Sequence, residues 1–409
     1  MMPVTIEKYS RPRGLKAENG WILKPNIVSV DPGNGKWSAF YADAGHVYSV
    51  NIPHGRVPVT GDRLDDIPGV AQADITYVDW NGTRYGIGEG VWNYATRYPV
   101  ETFQGSELRY GSDLHIMAII ATIALLRVPS SEPLFLVVPV PPGLMSTVLP
   151  ATGETVRDRV QHVLTNGQRG DGSGTWTIAI NEGKPITYTL KRVIVIPEGL
   201  GGYAAYRWTL QGEEIKLMSE DNTRDLLAGR VVIGDLGLGT ADKLVLFKGE
   251  IAPEELQHAT DEDGGLYTHM IQPILDIIVS ETGLRHLRAP HVDEWLRRWA
   301  KSRYSPDAAR VVVGNYQIDL HDTFVRLQNK YADYVLQTLI EPERRKGANA
   351  FAEVGGGWLF IENKIRSSYP KFPFLTPLDW QHVRGIPLFE LNGYGGLPFA
   401  ANNIRVHKR

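Results

Sequence analysis

Hydrophobic and polar positions alternate along the chain with two periods, one suited to strands and one to helices. Short apolar or alternating runs predict strands at "NIVSV" from Asn26, at "AFYAD", at "HVYSVNIP" and at "PLFLVVPVPP", the last stopped by its prolines. "ITYVDWNGTRYGIG" sets Asn81-Gly82 between two alternating segments, the strongest short-range signal for a hairpin. A second hairpin is predicted where "TWTIAI", the turn "NEGKP" and "ITYTLKRVIVIP" follow the polar stretch "TNGQRGDGSG". The segment from Leu114 to Arg127 has helical length and is nearly all apolar, which predicts a helix buried on most sides. Around "TGDRLDDIPG" the Gly, Pro and Asp content predicts a loop.

From Val231 the rhythm changes. "VVIGDLGLGTADKLVLF" reads as strand, glycine turn and strand. "DGGLYTHMIQPILDIIVSETG", "HVDEWLRRWAKSR" and "HDTFVRLQNKYADYVLQTLIEP" read as helices, with "ARVVVGN" a strand among them. "AFAEVGGGWLFIENKI" then reads as a second strand-turn arrangement. The stretch at Val231 has a counterpart near the other end of the chain, "IVSVDPGNGKWSAFYAD" from Ile27. Aligned without gaps, Asp31, Gly33 and Gly35 correspond to Asp235, Gly237 and Gly239, 204 residues later. An apolar strand, an aspartate and two glycines, repeated near the start of each half, point to an α/β protein built by internal duplication.

Composition narrows the class. At 409 residues the chain exceeds the size at which one core stops growing, so two or more domains are expected. A formal net charge of −3 gives no ground for a strongly basic surface, and no direct nucleic-acid binding is expected. The absence of cysteine excludes disulfides, thiolate metal ligands and cysteine nucleophiles. The opening "MMPVTIEKYSRPRGLKAENG" is too polar for a signal peptide. The longest nearly apolar run, "IMAIIATIALL", has 11 residues, too few to span a bilayer. A cytoplasmic protein without membrane contact is the expectation.

The repeated turns carry the candidate chemistry. Glycines two and four residues after the aspartate leave no Cβ, so the backbone can fold tightly around a ligand and present N–H groups to it. An aspartate ending the strand can hold a hydrated divalent cation, since magnesium takes oxygen ligands and keeps several waters. Two such turns face to face would grip a polyphosphate from both sides, with two carboxylates holding its metal between them. Taken singly, each stretch is also an ordinary hairpin, because Asp-x-Gly is a common turn composition.

The ordered set "DPGNGK", "DLGLGTAD" and "EVGGGW" resembles the actin, Hsp70 and sugar-kinase ATPase superfamily, whose members have two similar α/β domains around a nucleotide cleft. Within it the chain looks most like the ParM-type plasmid-segregation actins and their archaeal relatives. The resemblance implies two actin-like, ribonuclease H-like domains: residues 1–210 as the first, 211–390 as the second, and 391–409 returning to the first. It implies a phosphate-1 loop at Gly33, Asn34, Gly35 and Lys36, and a phosphate-2 loop at Gly237, Leu238, Gly239 and Thr240. Gly355, Gly356 and Gly357 would form the adenosine motif, with Asp31 and Asp235 holding Mg2+ for ATP or ADP. "PEGLGGYAAYRWTL" resembles the first interdomain connection, where Glu198 would orient the attacking water, and "LNGYGGLPFAAN" resembles the second, with glycines suited to a hinge or a loop. Leu238 stands where glycine is frequent in the family, and Pro32 follows the first aspartate.

The resemblance further implies a nucleotide hydrolase that polymerises head to tail, for plasmid or DNA segregation or another prokaryotic cytoskeletal role, with a DNA-bound adaptor protein as a further partner. A small-molecule kinase of the same superfamily, or a non-catalytic nucleotide-binding scaffold, would carry the same motifs. Lys36 reads as a phosphate contact or as a solvated lysine. Thr240 and Asp242 read as phosphate contact and loop brace, or as polar residues at a strand edge. Glu198 can also be placed by the first turn of a helix. No His-Glu-x-x-His, Gly-x-Ser-x-Gly or Gly-x-x-x-x-Gly-Lys-Ser/Thr run occurs, and His286 and His291 read as surface positions. "EPERRKG" reads as a solvated helix end.

Overall fold

The computed structural model describes residues 7–9, 21–22, 26–43, 46–59, 75–93, 100–102, 108–211, 214–217, 229–284, 287–375 and 387–406. The "TGDRLDDIPG" loop and His286 lie outside the described residues.

In the first half, β1 (Ile27–Pro32), β2 (Lys36–Asp43) and β3 (His46–Pro53) form an antiparallel meander. The hairpin of β4 (Thr76–Trp80) and β5 (Thr83–Ile87) turns through Asn81 and Gly82, both at positive φ, as its sequence requires. Helix α1 (Asp113–Leu125) starts at Ser112, whose hydroxyl accepts from the His115 N–H, and every residue from Leu114 onward is buried. Strand β6 (Leu134–Val140) is buried along its whole length because it pairs in parallel with β1 on one side and β8 (Ile186–Pro197) on the other. Between them in sequence come helix α2 (Val156–Asn166) and β7 (Thr175–Ile180), which forms the second predicted hairpin with β8. The spatial order is β3-β2-β1-β6-β8-β7-β4-β5, extended at its edges by Glu7–Tyr9 and Val57–Pro58 into a sheet of ten strands.

The second half repeats the centre of that order. After α3 (Leu200–Arg207), strand β9 (Arg230–Leu236) pairs antiparallel with β10 (Ala241–Phe247) and parallel with β11 (Ala350–Val354). Glu250–Ile251 lies outside β10, and Phe374–Leu375 runs parallel to β11. β9, β10 and β11 thus stand where β1, β2 and β6 stand in the first sheet. The duplication extends to register: Asp31 faces Ser38 across β1 and β2, and Asp235 faces Asp242 across β9 and β10. Helices α4 (Gln272–Thr282), α5 (Ala289–Lys301), α6 (His321–Val335) and α7 (Trp358–Ser368) belong to this half, as does the hairpin of Arg310–Val313 and Tyr316–Asp319. Helix α8 (Leu391–Val406) ends the described chain.

One face of the first sheet packs on α1. The opposite face, through Ile27, Phe40, Val137 and Ile196, shares a continuous core with α3, α8 and the second sheet. Among the described residues, no helix is long and apolar enough to cross a membrane.

Three segments differ from their sequence reading. The turn in "AFAEVGGGWLFIENKI" launches helix α7, docked by Trp358 Nε1 donating to the Gly234 carbonyl at 2.8 Å. "EPERRKG" contains a short helix, Glu341–Arg345, but Glu343 is fully buried. It binds Arg230 at 2.5 Å, Lys243 at 2.9 Å and Lys346 at 3.1 Å, and these contacts overcome its burial and hold its pKa at about 2. "LNGYGGLPFAAN" is helical, and its glycines serve close packing: a Cβ on Gly395 would overlap the Gly201 carbonyl of α3, and one on Gly393 would overlap the Phe40 ring. His291 is half-buried, its Nδ1 accepting from the Arg288 N–H at the start of α5.

Candidate functional site

The duplicated strands bring their turns together. Asp31 and Asp235 each occupy the penultimate position of a central strand, so the glycine turns that follow leave the same end of their sheets. The turns touch across the seam. A Cβ on Gly239 would lie 2.5 Å from Asn34 Nδ2, and one on Gly35 would lie 3.4 Å from Leu238 Cβ. Leu238, the departure from the glycine pattern, thus packs its apolar side chain against the opposite turn.

A single cleft is lined by Asp31, Gly33, Asn34, Gly35 and Lys36 from the first turn and by Asp235, Gly237, Leu238, Gly239 and Thr240 from the second. Glu198, between β8 and α3, and Gly355, Gly356 and Gly357, between β11 and α7, complete the set read from the sequence. Gly355 sits at φ +89°, and a Cβ there would lie 2.5 Å from the Leu236 carbonyl oxygen, so the turn requires glycine. The Gly357 N–H donates to that same carbonyl at 2.8 Å.

Carboxylates dominate one end. Burial pushes Asp31 up to about 6 and, joined by the charges of Asp242 and Asp31, pushes Asp235 up to about 8. Asp242 rises to about 6 through burial, opposed by hydroxyl donors Thr240 at 2.6 Å and Thr260 at 2.5 Å. These bonds make Asp242 the brace of the second turn. Glu198 is pushed well above the carboxylate range by burial and by Asp242, Asp235 and Asp31, and it hydrogen-bonds to Asp242.

The other end is cationic and aromatic. Lys36 Nζ lies 5.1 Å and Arg297 Cζ 5.2 Å from the centre of the Phe389 ring, beside Gly356. Lys36 is half-buried and turned into the cleft, and burial together with Arg297 lowers its pKa.

The sequence reading did not single out Ser38, Arg109, Leu266, Arg297, Phe389 or Asn392, which also line the cleft. Asn392 Oδ1 accepts from the Gly199 N–H at 2.9 Å and the Gly202 N–H at 3.2 Å, while its Nδ2 donates to Asp235 Oδ2. One amide thereby joins α8, the start of α3 and the second sheet. A lone polar residue in the apolar, glycine-rich run "LNGYGG" was the available signal. Arg109, ahead of α1, gave none.

No protein-family model matches the chain, and no curated protein matches it. Solved structures do. An archaeal actin homolog aligns over 92% of this chain and 99% of its own, with TM-score 0.62 and 18% identity. The chain has the actin-like fold. ParM of Bacillus thuringiensis with ATP aligns over 95% of this chain and 100% of its own, with TM-score 0.61 and 17% identity. The apo pSK41 ParM protein aligns over 94% and 99%, with TM-score 0.58 and 14% identity. The archaeal homolog has also been solved with ADP. The actin-like fold accounts for the two sheets with a common strand order and for the cleft at their shared end.

Proposed function

We propose that this protein is an actin-like ATPase that binds a nucleoside triphosphate between its two glycine turns and assembles into nucleotide-dependent filaments. One observation carries the proposal: both turns, Glu198 and the Gly355–Gly357 turn line one cleft, although they are scattered over most of the chain. Residues 1–210 with 391–409 form one lobe in this reading, and residues 211–390 the other. The solved relatives with ATP and ADP support a nucleotide as the ligand.

The donor set suits magnesium. Asp31 and Asp235 offer oxygen only, and among the described residues no group of three or more His, Asp or Glu is arranged to hold a metal directly. Two carboxylates acting through water match a cation that keeps its hydration shell. Bound Mg2+ would supply charge neutralisation at the phosphates. The chain's own residues do the rest: the turns bind the β- and γ-phosphates through backbone N–H groups, Glu198 orients the water, and the Gly355–Gly357 backbone approaches the nucleoside. Hydrolysis changes the angle between the lobes and weakens contacts between subunits, and head-to-tail contacts that do not close give open filaments. Plasmid or DNA segregation through a DNA-bound adaptor, or another cytoplasmic cytoskeletal task, fits this chemistry.

The test is light scattering of the purified protein with Mg2+ and ATP, GTP, ADP or no nucleotide, with phosphate release read in the same cuvette. Scattering should rise with triphosphate, fall as phosphate appears and vanish in Asp235→Ala. Steady hydrolysis without scattering would exclude filaments, and binding without turnover would indicate a scaffold. A second cavity favours the kinase reading as the alternative. It lies across the seam and shares Asn34, Arg109, Leu238, Gly239 and Thr240 as its wall. Phosphate transfer to an added hydroxyl compound would establish that alternative.

A further inference from the structure

Arg109 lies in the turn just before α1, at 7% exposure. Its Nη1 donates to Asn34 Oδ1 at the tip of the first glycine turn, and its Nη2 donates to the Tyr110 hydroxyl. The same Nη2 stands 4.0 Å from Glu198 Oε1. Asn34 in turn touches Gly239 of the second turn. The guanidinium therefore sits where both turns and the water-orienting carboxylate converge. It is also a cation that opposes the upward shifts of Asp31, Glu198 and Asp242.

We propose that Arg109 contacts the terminal phosphate and stabilises the charge that builds on it during hydrolysis, as an arginine supplied within the same chain. The inference rests on the nucleotide reading above. In the step it serves, the water oxygen bonds to the terminal phosphorus as the bond from that phosphorus to the bridging oxygen breaks. The water's protons end on the released phosphate and in solvent while Glu198 orients the water, leaving nucleoside diphosphate and inorganic phosphate. A guanidinium suits this place because its planar fork can span two phosphate oxygens, or one oxygen and Asn34, at once.

The experiment is steady-state hydrolysis by the full chain and by Arg109→Gln and Arg109→Lys, together with trapping of ADP by aluminium fluoride, which mimics the transferring phosphoryl group. Arg109→Gln should lower kcat about 10²–10³-fold with KM changed only a few-fold, as for other donors aimed at developing charge. It should still bind ADP but lose the aluminium fluoride complex. A residue that only held the fold would change KM, kcat and melting temperature together and leave trapping in proportion to ADP binding, which would overturn the proposal. Arg109→Lys keeps the charge and serves if the glutamine variant does not fold. It should lose at least about tenfold in kcat because lysine lacks the fork, and wild-type kcat would equally overturn the proposal. Failure of the wild type to bind nucleotide would instead remove the nucleotide reading beneath it.

Discussion

Asp235 is the residue on which the site's electrostatics turn. It is 6% exposed, it faces Asp242 across the hairpin, and the Asn392 amide draws its pKa back down. With a folded pKa of about 8 against an unfolded value near 4, the folded state retains a proton that the unfolded chain has lost. Stability from this group therefore falls as pH rises through that interval. His54 and His115, lowered by burial to about 4 and about 3, act in the opposite direction, but only up to the unfolded histidine pKa of about 6.5. Between pH 6.5 and 8 the carboxylate effect stands alone of the two, at up to about 1.4 kcal/mol per pH unit for one proton. The melting temperature of the ligand-free protein should fall over that window, and Asp235→Asn should reduce the slope, with Glu198, also raised well above the carboxylate range, supplying the rest. An unchanged slope in the variant would mean that Asp235 is ionised throughout.

At the scale of elements, the crossing of α3 and α8 holds the site. Gly201 and Gly395 meet there without room for a methyl group, and Asn392, one turn before Gly395, reaches Asp235. Gly395→Ala should destabilise the protein by roughly 1–3 kcal/mol through overpacking, read by urea denaturation, and should weaken nucleotide binding by displacing Asn392. Weakened binding at unchanged stability would place the effect in the site; neither change would mean that the helices separate easily. Strands, hairpins and the apolar helix α1 were legible in the sequence because their patterns are local. The two turns were legible because duplication wrote the same aspartate and glycines twice. α8 was not, since its glycines read as a hinge or a loop until the crossing they serve is seen. Arg109, Arg297 and Phe389 belong to the cleft only by tertiary position, and no local pattern marks them; Asn392 was marked only as a lone polar residue in a glycine-rich run. Within the exposed helix end of "EPERRKG", the burial of Glu343 was not legible, because two of its three cations, Arg230 of β9 and Lys243 of β10, are distant in sequence and only Lys346, just past its helix, is near.

At the scale of the whole molecule, the two sheets are joined by one core beneath α3 and α8 and by the contact of the glycine turns above it. A ligand held by both turns would add a further bond between the halves, so its binding energy should appear in the cooperativity of unfolding. Calorimetry with Mg2+ and a slowly hydrolysed ATP analogue should show one transition shifted upward as a unit. At a free ligand concentration of 100 Kd the added stability is about 2.7 kcal/mol. If the turns gripped the phosphates from one side only, the ligand would raise the melting of one half and separate it from the other. Two transitions, one unmoved by nucleotide, would therefore remove the bridging geometry and with it the route by which hydrolysis could alter the angle between the lobes. A Gly239→Val variant sharpens the comparison: its side chain would strike Asn34 and part the turns, so it should keep the shared core but lose most of the nucleotide-induced shift.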